Sequence, residues 1–212
     1  MKIVVLVKEV PDTYGDRKLD LETGLADRAA SERVLDEIGE RSIEAAISLK
    51  EGAPDAEVVL VSMGPDSASA GLRKGLAMGA DRAVHVLDAE LVGADLTLTA
   101  ETLAAAIRRE SPDLVIAGVL STDGTGAVVP AMVAEHLGWA HLTSMNSVAA
   151  GDGRASGVRA TDLGTATVSA ALPAVVSITE AMPEARFPNF KGIMAAKKKP
   201  LDTVSLGDLS LA

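Results

Sequence analysis

Short, nearly continuous apolar runs recur along the chain and predict buried β-strands. Four of them, residues 2–7, 57–62, 82–86 and 114–117, are rich in Val, Leu, Ile and Ala with few polar interruptions. Continuous apolar character, rather than alternation, is typical of strands covered on both faces, as in a parallel sheet.

Segments with helical spacing of apolar residues lie between and after these runs. They cover residues 34–50, 66–78, 97–109 and 127–137, and Pro130 fits the last of them because the first turn of a helix tolerates proline. Alternation of strands and helices favours right-handed βαβ crossovers. The sequence therefore predicts an α/β fold with a doubly wound, mostly parallel sheet.

The pattern changes after Gly138. Turn signals at residues 151–153 and 162–164 predict a small β-hairpin at about residues 147–171. The run at residues 172–178 then predicts one more buried strand.

The last part of the chain combines prolines with unusual side chains. Residues 184–199 hold both phenylalanines, Arg186 and a run of three lysines. Aromatic and arginine side chains are over-represented at protein interfaces, which modestly favours a contact role over a merely solvated patch. We therefore divide the chain into an α/β domain, residues 1–180, and an extended C-terminal arm, residues 181–212.

Composition and charge narrow the classes of function. The 212 residues are 48% hydrophobic, enough for a sizeable core, and the formal net charge of −10 disfavours DNA or RNA as a partner. The chain has no cysteine, which excludes disulfides, zinc–thiolate sites and iron–sulfur clusters. No apolar stretch approaches the ~18 residues of a membrane-spanning helix, and there is no signal-peptide pattern. We expect a cytoplasmic protein without membrane insertion.

Catalytic machinery is not visible in the sequence. His85, His136 and His141 have no second histidine at metal-ligand spacing, and no GxSxG motif is present. We therefore expect no metal site and no catalytic residues.

The strongest local signal is the polar turn Ser121–Gly126, with the sequence STDGTG. In doubly wound sheets, ligands bind in the loops after the strands, and this turn follows the fourth predicted strand and precedes a helix. Backbone amides at such a place suit a phosphate group. The same residue types also favour an ordinary capped turn, and the residues alone leave the two interpretations even. Asp123 is poorly suited to contact an anion and fits a helix cap or a ribose hydroxyl better.

The chain resembles the β subunit of electron-transfer flavoproteins, in a short form, along nearly its whole length. The resemblance rests on several segments that occur in the family's order. They are VLVKEVPDT, LDEIGERSIEAAISLKE, VSMGP followed by LRKGLAMGADRAVHV, STDGTG, LPAVVSI and EARFPNFKGIMAAKKK. The chain ends at Ala212, before the long tail of many members.

The resemblance implies a fold like that of adenine nucleotide alpha-hydrolases and a set of ligands. The family forms an αβ heterodimer in which FAD lies mainly in the α subunit and AMP lies in the β subunit. The implied AMP site comprises Leu6, Asp36, Glu37, Ile38, Gly39, Met63, Gly118, Ser121, Thr122, Asp123, Gly124, Thr125 and Gly126. Thr13, followed here by Tyr14, corresponds to the contribution of the β subunit beside the flavin ring.

The resemblance also implies protein partners. Electrons pass from acyl-CoA or other flavin dehydrogenases, as in fatty acid oxidation, through the flavin to a quinone oxidoreductase. The implied partner-binding residues are Pro188, Asn189, Phe190, Lys191 and Gly192. Two alternatives stay open: an electron-bifurcating subunit with a second FAD in place of AMP, and a stand-alone adenine-nucleotide sensor. A hydrolase acting on ATP is disfavoured because KEVPD, after the first strand, lacks an SGGxDS-like pattern.

Overall fold

A parallel seven-stranded sheet forms the centre of the molecule. The structure is a computed structural model that describes residues 1–28 and 30–211. The strands of the sheet are β1 (Lys2–Leu6), β4 (Glu57–Met63), β5 (Arg82–Val86), β6 (Leu114–Gly118), β7 (Ala140–Met145), β11 (Ala174–Ile178) and β12 (Leu201–Val204). Their order in the sheet is β12-β5-β4-β1-β6-β11-β7, and every neighbouring pair is parallel.

Helices cover both faces of this sheet, as the sequence predicts. On one face, Ile43 and Leu72 of two helices are fully buried against the sheet. On the other face, Ile107 and Val133 of two further helices are also fully buried against it. The helices are α1 (Glu37–Gly52), α2 (Ala68–Met78), α3 (Leu96–Glu110), α4 (Val129–Leu137) and α5 (Phe190–Ala196). The doubly wound α/β fold is confirmed.

The predicted hairpin is present and gains a third strand. Strands β8 (Ala149–Gly151), β9 (Arg154–Thr161) and β10 (Gly164–Ala171) form an antiparallel sheet. Its two connections coincide with the predicted turn signals, where Asp152 and Gly153 have positive φ angles.

A short antiparallel ribbon stands at the start of the chain. Strand β2 (Glu9–Pro11) pairs with β3 (Arg33–Leu35), and the ribbon closes the base of a long loop, residues 12–32. Residue 36 follows the ribbon directly and leads into α1, so the ribbon connects the end of β1 to the start of that helix.

The segment after Glu180 is only partly the extended arm that the sequence predicts. Residues 183–189 have no regular structure, but α5 packs on α2, and β12 adds to the edge of the central sheet beside β5. Arg73 Nη1 donates hydrogen bonds of 2.8 Å to the carbonyl oxygens of both Ala196 and Lys199. Lys199 Nζ in turn donates to the carbonyl of Ala80 at 2.6 Å. One of the three lysines therefore ties the arm to α2 and is not a free surface cation.

Candidate functional site

The site lies at the carboxyl edge of the central sheet, where β1, β4 and β6 end. The start of α1 comes close to this edge, because Asp36 N donates to the Lys8 carbonyl at 3.0 Å. Gly118 at the end of β6 makes the approach possible. A Cβ atom there would lie 2.6 Å from Ile38 Cγ2.

Asp36 is a buried carboxylate with one unsatisfied oxygen. Asp36 is 2% exposed. Its Oδ2 accepts a 2.9 Å hydrogen bond from the amide of Thr122. Its Oδ1 has no hydrogen-bond partner among the residues that the structure describes. Burial raises the pKa of Asp36 above its ordinary value, and the amide and hydroxyl of Thr122 and the amide of Ile38, which lie near the carboxylate, oppose that shift. A buried acceptor without a donor is costly, so the oxygen is available to a ligand that can donate to it.

The amides of the turn 121–126 are largely used within the protein. Thr122 N is bound to Asp36, Gly124 N donates to Asp123 Oδ1 at 2.7 Å, and Thr125 N donates to the Ser121 carbonyl at 3.0 Å. The Thr122 hydroxyl, by contrast, is buried and has no partner in the described part of the chain. The turn therefore offers fewer free amides than the sequence suggests, but it has a second unsatisfied buried atom.

Asp123 lies between two cationic side chains. Lys8 Nζ is 2.7 Å from its Oδ1, and Arg28 Nη1 is 2.9 Å from its Oδ2. Burial by itself favours the protonated acid, but the hydrogen bonds and charges of Lys8 and Arg28 outweigh it and lower the pKa of Asp123 well below its ordinary range. The residue is therefore ionised at neutral pH, and its two oxygens are engaged.

The long loop 12–32 contacts the turn 121–126. Arg17 Nη1 donates to the Thr122 carbonyl, and Leu25 lies near Gly93 in the loop between β5 and α3. Thr13 and Tyr14, at the start of the loop, are exposed, and Asp12 Oδ1 accepts a hydrogen bond from the Tyr14 amide at 2.9 Å.

The residues predicted for the AMP site are brought to one edge, but they differ in accessibility. Leu6 and Met63 pack with the core on the α3 side, and Ile38 packs on the α1 side. Glu37 is exposed, as are residues 124–126. Asp36, Gly39, Gly118, Ser121, Thr122 and Asp123 are buried or half-buried.

Sequence reasoning missed the cations of this edge. Lys8 stands directly after β1 at the carboxyl end, which is the signal that could have identified it. Arg17 and Arg28 lie in the loop 12–32, whose described part holds an isolated β-bridge between Leu19 and Ala26 but no strand or helix, so no pattern in the sequence indicates where they reach.

The arm presents a second surface, held in place by an ion-pair cluster. Arg186 binds Glu44 through Nε and Nη2, both at 2.8 Å, and reaches Glu51 at 2.5 Å. These bonds raise the pKa of Arg186 and lower that of Glu44. Phe190 in α5 is 79% exposed, with the other large apolar side chains of the surface, Phe187, Ile193 and Met194, also exposed.

Grooves lie beside α5. One of about 590 Å³ between α2 and α5 is lined by Arg73, Lys74, Ala77, Pro188, Ile193, Ala196 and Lys197. Gly192 sets the contact of the two helices, since a Cβ atom there would lie 2.4 Å from the Ala77 carbonyl oxygen.

The histidines show no sign of a metal centre. His85 is buried with its Nε2 3.0 Å from the Gly64 carbonyl, and burial lowers the pKa of His141. Within residues 1–28 and 30–211, no three His, Asp or Glu side chains are grouped so as to hold a metal ion. No helix in that part of the chain is long and apolar enough to cross a membrane.

The fold and this edge define a parallel α/β protein with a cluster of charged side chains beyond the strand ends. Comparison with known sequences gives the family. The family described as "Electron transfer flavoprotein domain" matches residues 23–209. The electron transfer flavoprotein subunit beta of Mycobacterium leprae is 46% identical over 214 residues, covering 99% of this chain and 80% of the relative. The chain belongs to the electron transfer flavoprotein family, as a β subunit.

More distant relatives agree with this assignment. The corresponding subunit of Syntrophomonas wolfei is 38% identical over 205 residues, covering 97% of this chain and 80% of that protein. A protein of Acetobacterium woodii named caffeyl-CoA reductase–Etf complex subunit CarD is 33% identical over 213 residues, covering 100% of this chain and 81% of that protein. Membership as a β subunit implies electron transfer, involvement of a flavin and an α-subunit partner.

Proposed function

We propose that the chain acts in the cytoplasm as the β subunit of an αβ electron carrier, binding AMP in its own fold and helping the α subunit to hold FAD. Electrons would enter from acyl-CoA or other flavin dehydrogenases and leave to a quinone oxidoreductase. The chain would supply no catalytic residue of its own.

The observation that carries the AMP part is a pair of buried polar atoms, Asp36 Oδ1 and Thr122 Oγ1, neither of which makes a hydrogen bond of good geometry with a described residue. An adenine nucleotide carries an exocyclic amine and ribose hydroxyls that donate hydrogen bonds, and ring nitrogens that accept them. Such a ligand satisfies a buried acceptor and a buried hydroxyl at the same edge. The residues present therefore fit the group.

FAD supplies the electron-carrying chemistry when it is bound. In this proposal Thr13, exposed at the start of the long loop 12–32, contributes to the wall beside the flavin ring. The loop would orient that wall and keep water from it, while most of the FAD site would come from the α subunit.

The dehydrogenase would dock on residues 188–192 and the rest of α5. Exposed aromatic side chains on a rigidly held segment are typical anchors of protein interfaces. Phe190 is the anchor in this proposal, and Arg186 holds the segment against α1 through Glu44.

The test is co-expression with an α subunit, followed by mass spectrometry of the nucleotides released from the purified complex. One AMP and one FAD per heterodimer support the proposal. Two FAD and no AMP would replace it with the electron-bifurcating alternative. ATP bound to a homodimer, with no αβ complex and no flavin, would replace it with the stand-alone sensor.

A further inference from the structure

Three cationic side chains converge on one short turn of an acidic protein. Within the described residues, Lys8 and Arg28 bind Asp123, and Arg17 binds the Thr122 carbonyl. The whole chain has a formal charge of −10, so such a concentration of positive charge is not the average property of its surface. Asp123 is the carboxylate between Lys8 and Arg28, and a second carboxylate, Asp36, is bonded to the same turn through the Thr122 amide.

The charges are layered with the anion inside and the cations outside. The side chain of Asp123 is 8% exposed, whereas those of Lys8 and Arg28 are 42% and 37% exposed. The carboxylate therefore binds the two cations from the protein side, and the parts of Lys8 and Arg28 that do not contact it are exposed to solvent.

Both cations keep donors for a further anion. Lys8 Nζ has three N–H groups and directs them at Asp123, at 2.7 Å, and Ser121 Oγ, at 3.3 Å, which leaves one. Arg28 has five N–H groups and contacts Asp123 through Nη1.

Gly124 lies beside the ammonium group of Lys8. A Cβ atom at Gly124 would lie 4.0 Å from Lys8 Nζ and 3.4 Å from Ser121 Oγ, so a larger side chain there would stand beside the ammonium. The amides of Thr122, Gly124 and Thr125 are occupied by internal bonds. Recognition of a phosphate at this turn therefore depends on side chains more than on those amides.

We infer that Lys8 and Arg28 hold the phosphate group of the nucleotide, with Asp123 behind them as the counter-ion that positions both. The inference rests on the proposed nucleotide site and adds the two side chains that hold the phosphate and so favour AMP over adenosine. Charge-assisted bonds from a lysine and an arginine are the strong contacts to phosphate oxygens.

The experiment compares AMP with adenosine. The αβ complex, freed of co-purified nucleotide, is titrated calorimetrically with each compound as wild type, Lys8→Met and Arg28→Met. We expect each variant to bind AMP about tenfold more weakly or worse, with adenosine affinity changed by less than about twofold. Lys8→Arg should recover part of the AMP affinity.

Two further variants complete the comparison, one as a charge control and one as a second test of the contact at Lys8. Arg33→Met removes one unit of positive charge from β3, where Arg33 binds Ser67, and should change AMP affinity by less than about twofold. Gly124→Val keeps both cations but fills the flank of Lys8, and should weaken AMP more than adenosine. Thermal midpoints of all variants establish that they are folded.

The possible outcomes separate this inference from the function on which it rests. A wild type that prefers AMP, with the Lys8 and Arg28 variants no weaker than Arg33→Met, overturns the inference and leaves the nucleotide site. Parallel loss of AMP and adenosine in both variants also overturns it, since the cations would then only support the fold. A wild type that binds neither compound overturns the nucleotide site itself.

Discussion

The turn 121–126 and helix α5 present opposite kinds of surface. At the turn, charges are gathered and compensated inside the protein: Asp123 is nearly buried between Lys8 and Arg28. On α5, the side chain of Phe190 is 79% exposed. A preformed set of polar groups with a few unsatisfied atoms suits a small polar ligand, and exposed aromatic side chains suit a protein partner. The difference indicates that the two regions serve different kinds of partner.

The largest expected effect tests the α5 side of the comparison. Phe190→Ala should slow electron transfer from the dehydrogenase about 30-fold, because a central aromatic anchor contributes about 2 kcal/mol or more to an interface. The FAD content of the complex and the thermal midpoint should stay unchanged, since the side chain is 79% exposed. The measurement is the rate of flavin reduction at limiting complex concentration.

Leu163→Ala is the matched control, because Leu163 is a large apolar side chain that is fully exposed at the tip of the small sheet. It should leave the rate unchanged. Loss of flavin in Phe190→Ala would contradict this assignment and make the Phe a structural residue.

The strands of the fold divide by how well the sequence predicts them. The interior strands β1, β4 and β6 are buried on both faces, and continuous runs of Val, Leu and Ile mark them within a residue or two. The edge strands β7 and β12 pair on one side, so sequences such as HLTSM and LDTV satisfy them without an apolar run. In the central sheet, the edge strands are therefore the ones that the sequence pattern does not predict.

The candidate site divides in the same way. The turn 121–126 is predictable because it follows a predicted strand, and strand ends define where ligands bind. The ion pairs that shape the site are not predictable from the sequence. Asp123 is 115 residues from Lys8 and 95 residues from Arg28, and no periodicity relates positions so far apart. Only the folded sheet brings the end of β1, the long loop 12–32 and the turn together.

A pair of glycines tests how rigidly each region is built. Gly118→Ala should lower the free energy of unfolding by about 1–3 kcal/mol, because the new Cβ would overlap Ile38 at the start of α1. Gly192→Ala should also lower it by about 1–3 kcal/mol, because the new Cβ would lie 2.4 Å from the Ala77 carbonyl oxygen and would displace α5. Electron transfer from the dehydrogenase should fall as well. Urea unfolding and the reduction rate measure the two effects.

Gly126→Ala is the control for both, since a Cβ at Gly126 meets nothing within 4 Å. It should leave the urea midpoint within about 0.5 kcal/mol of the wild type. Equal stability of Gly118→Ala and Gly126→Ala would show that α1 shifts freely, and the site would then be less rigid than the contacts indicate.

The smallest expected effects come from two neighbouring carboxylates at the turn, which should respond to pH in opposite directions. The pKa of Asp123 is lowered in the folded protein. Its stabilisation is therefore present above the ordinary value of 3.8 and lost as the pH falls through the lower folded value. Asp123→Asn should cost about 1–2 kcal/mol at pH 7, because the half-exposed cations discount the pair, and the deficit should shrink below pH 4.

Asp36 should behave in the reverse sense, because burial raises its pKa in the folded state. Its contribution to stability is present below 3.8 and is lost as the pH rises through the raised folded value, where the buried acid must ionise. Asp36→Asn keeps an oxygen acceptor for the Thr122 amide, so it should gain a few tenths to about 1 kcal/mol at pH 7 and nothing near pH 3. If Asp36 Oδ1 is the acceptor for the nucleotide, the same variant should bind adenosine and AMP more weakly. If Asp36→Asn is more stable than the wild type but binds adenosine equally well, Asp36 is not part of the ligand site. The turn 121–126 and α5 would then differ only in their charge.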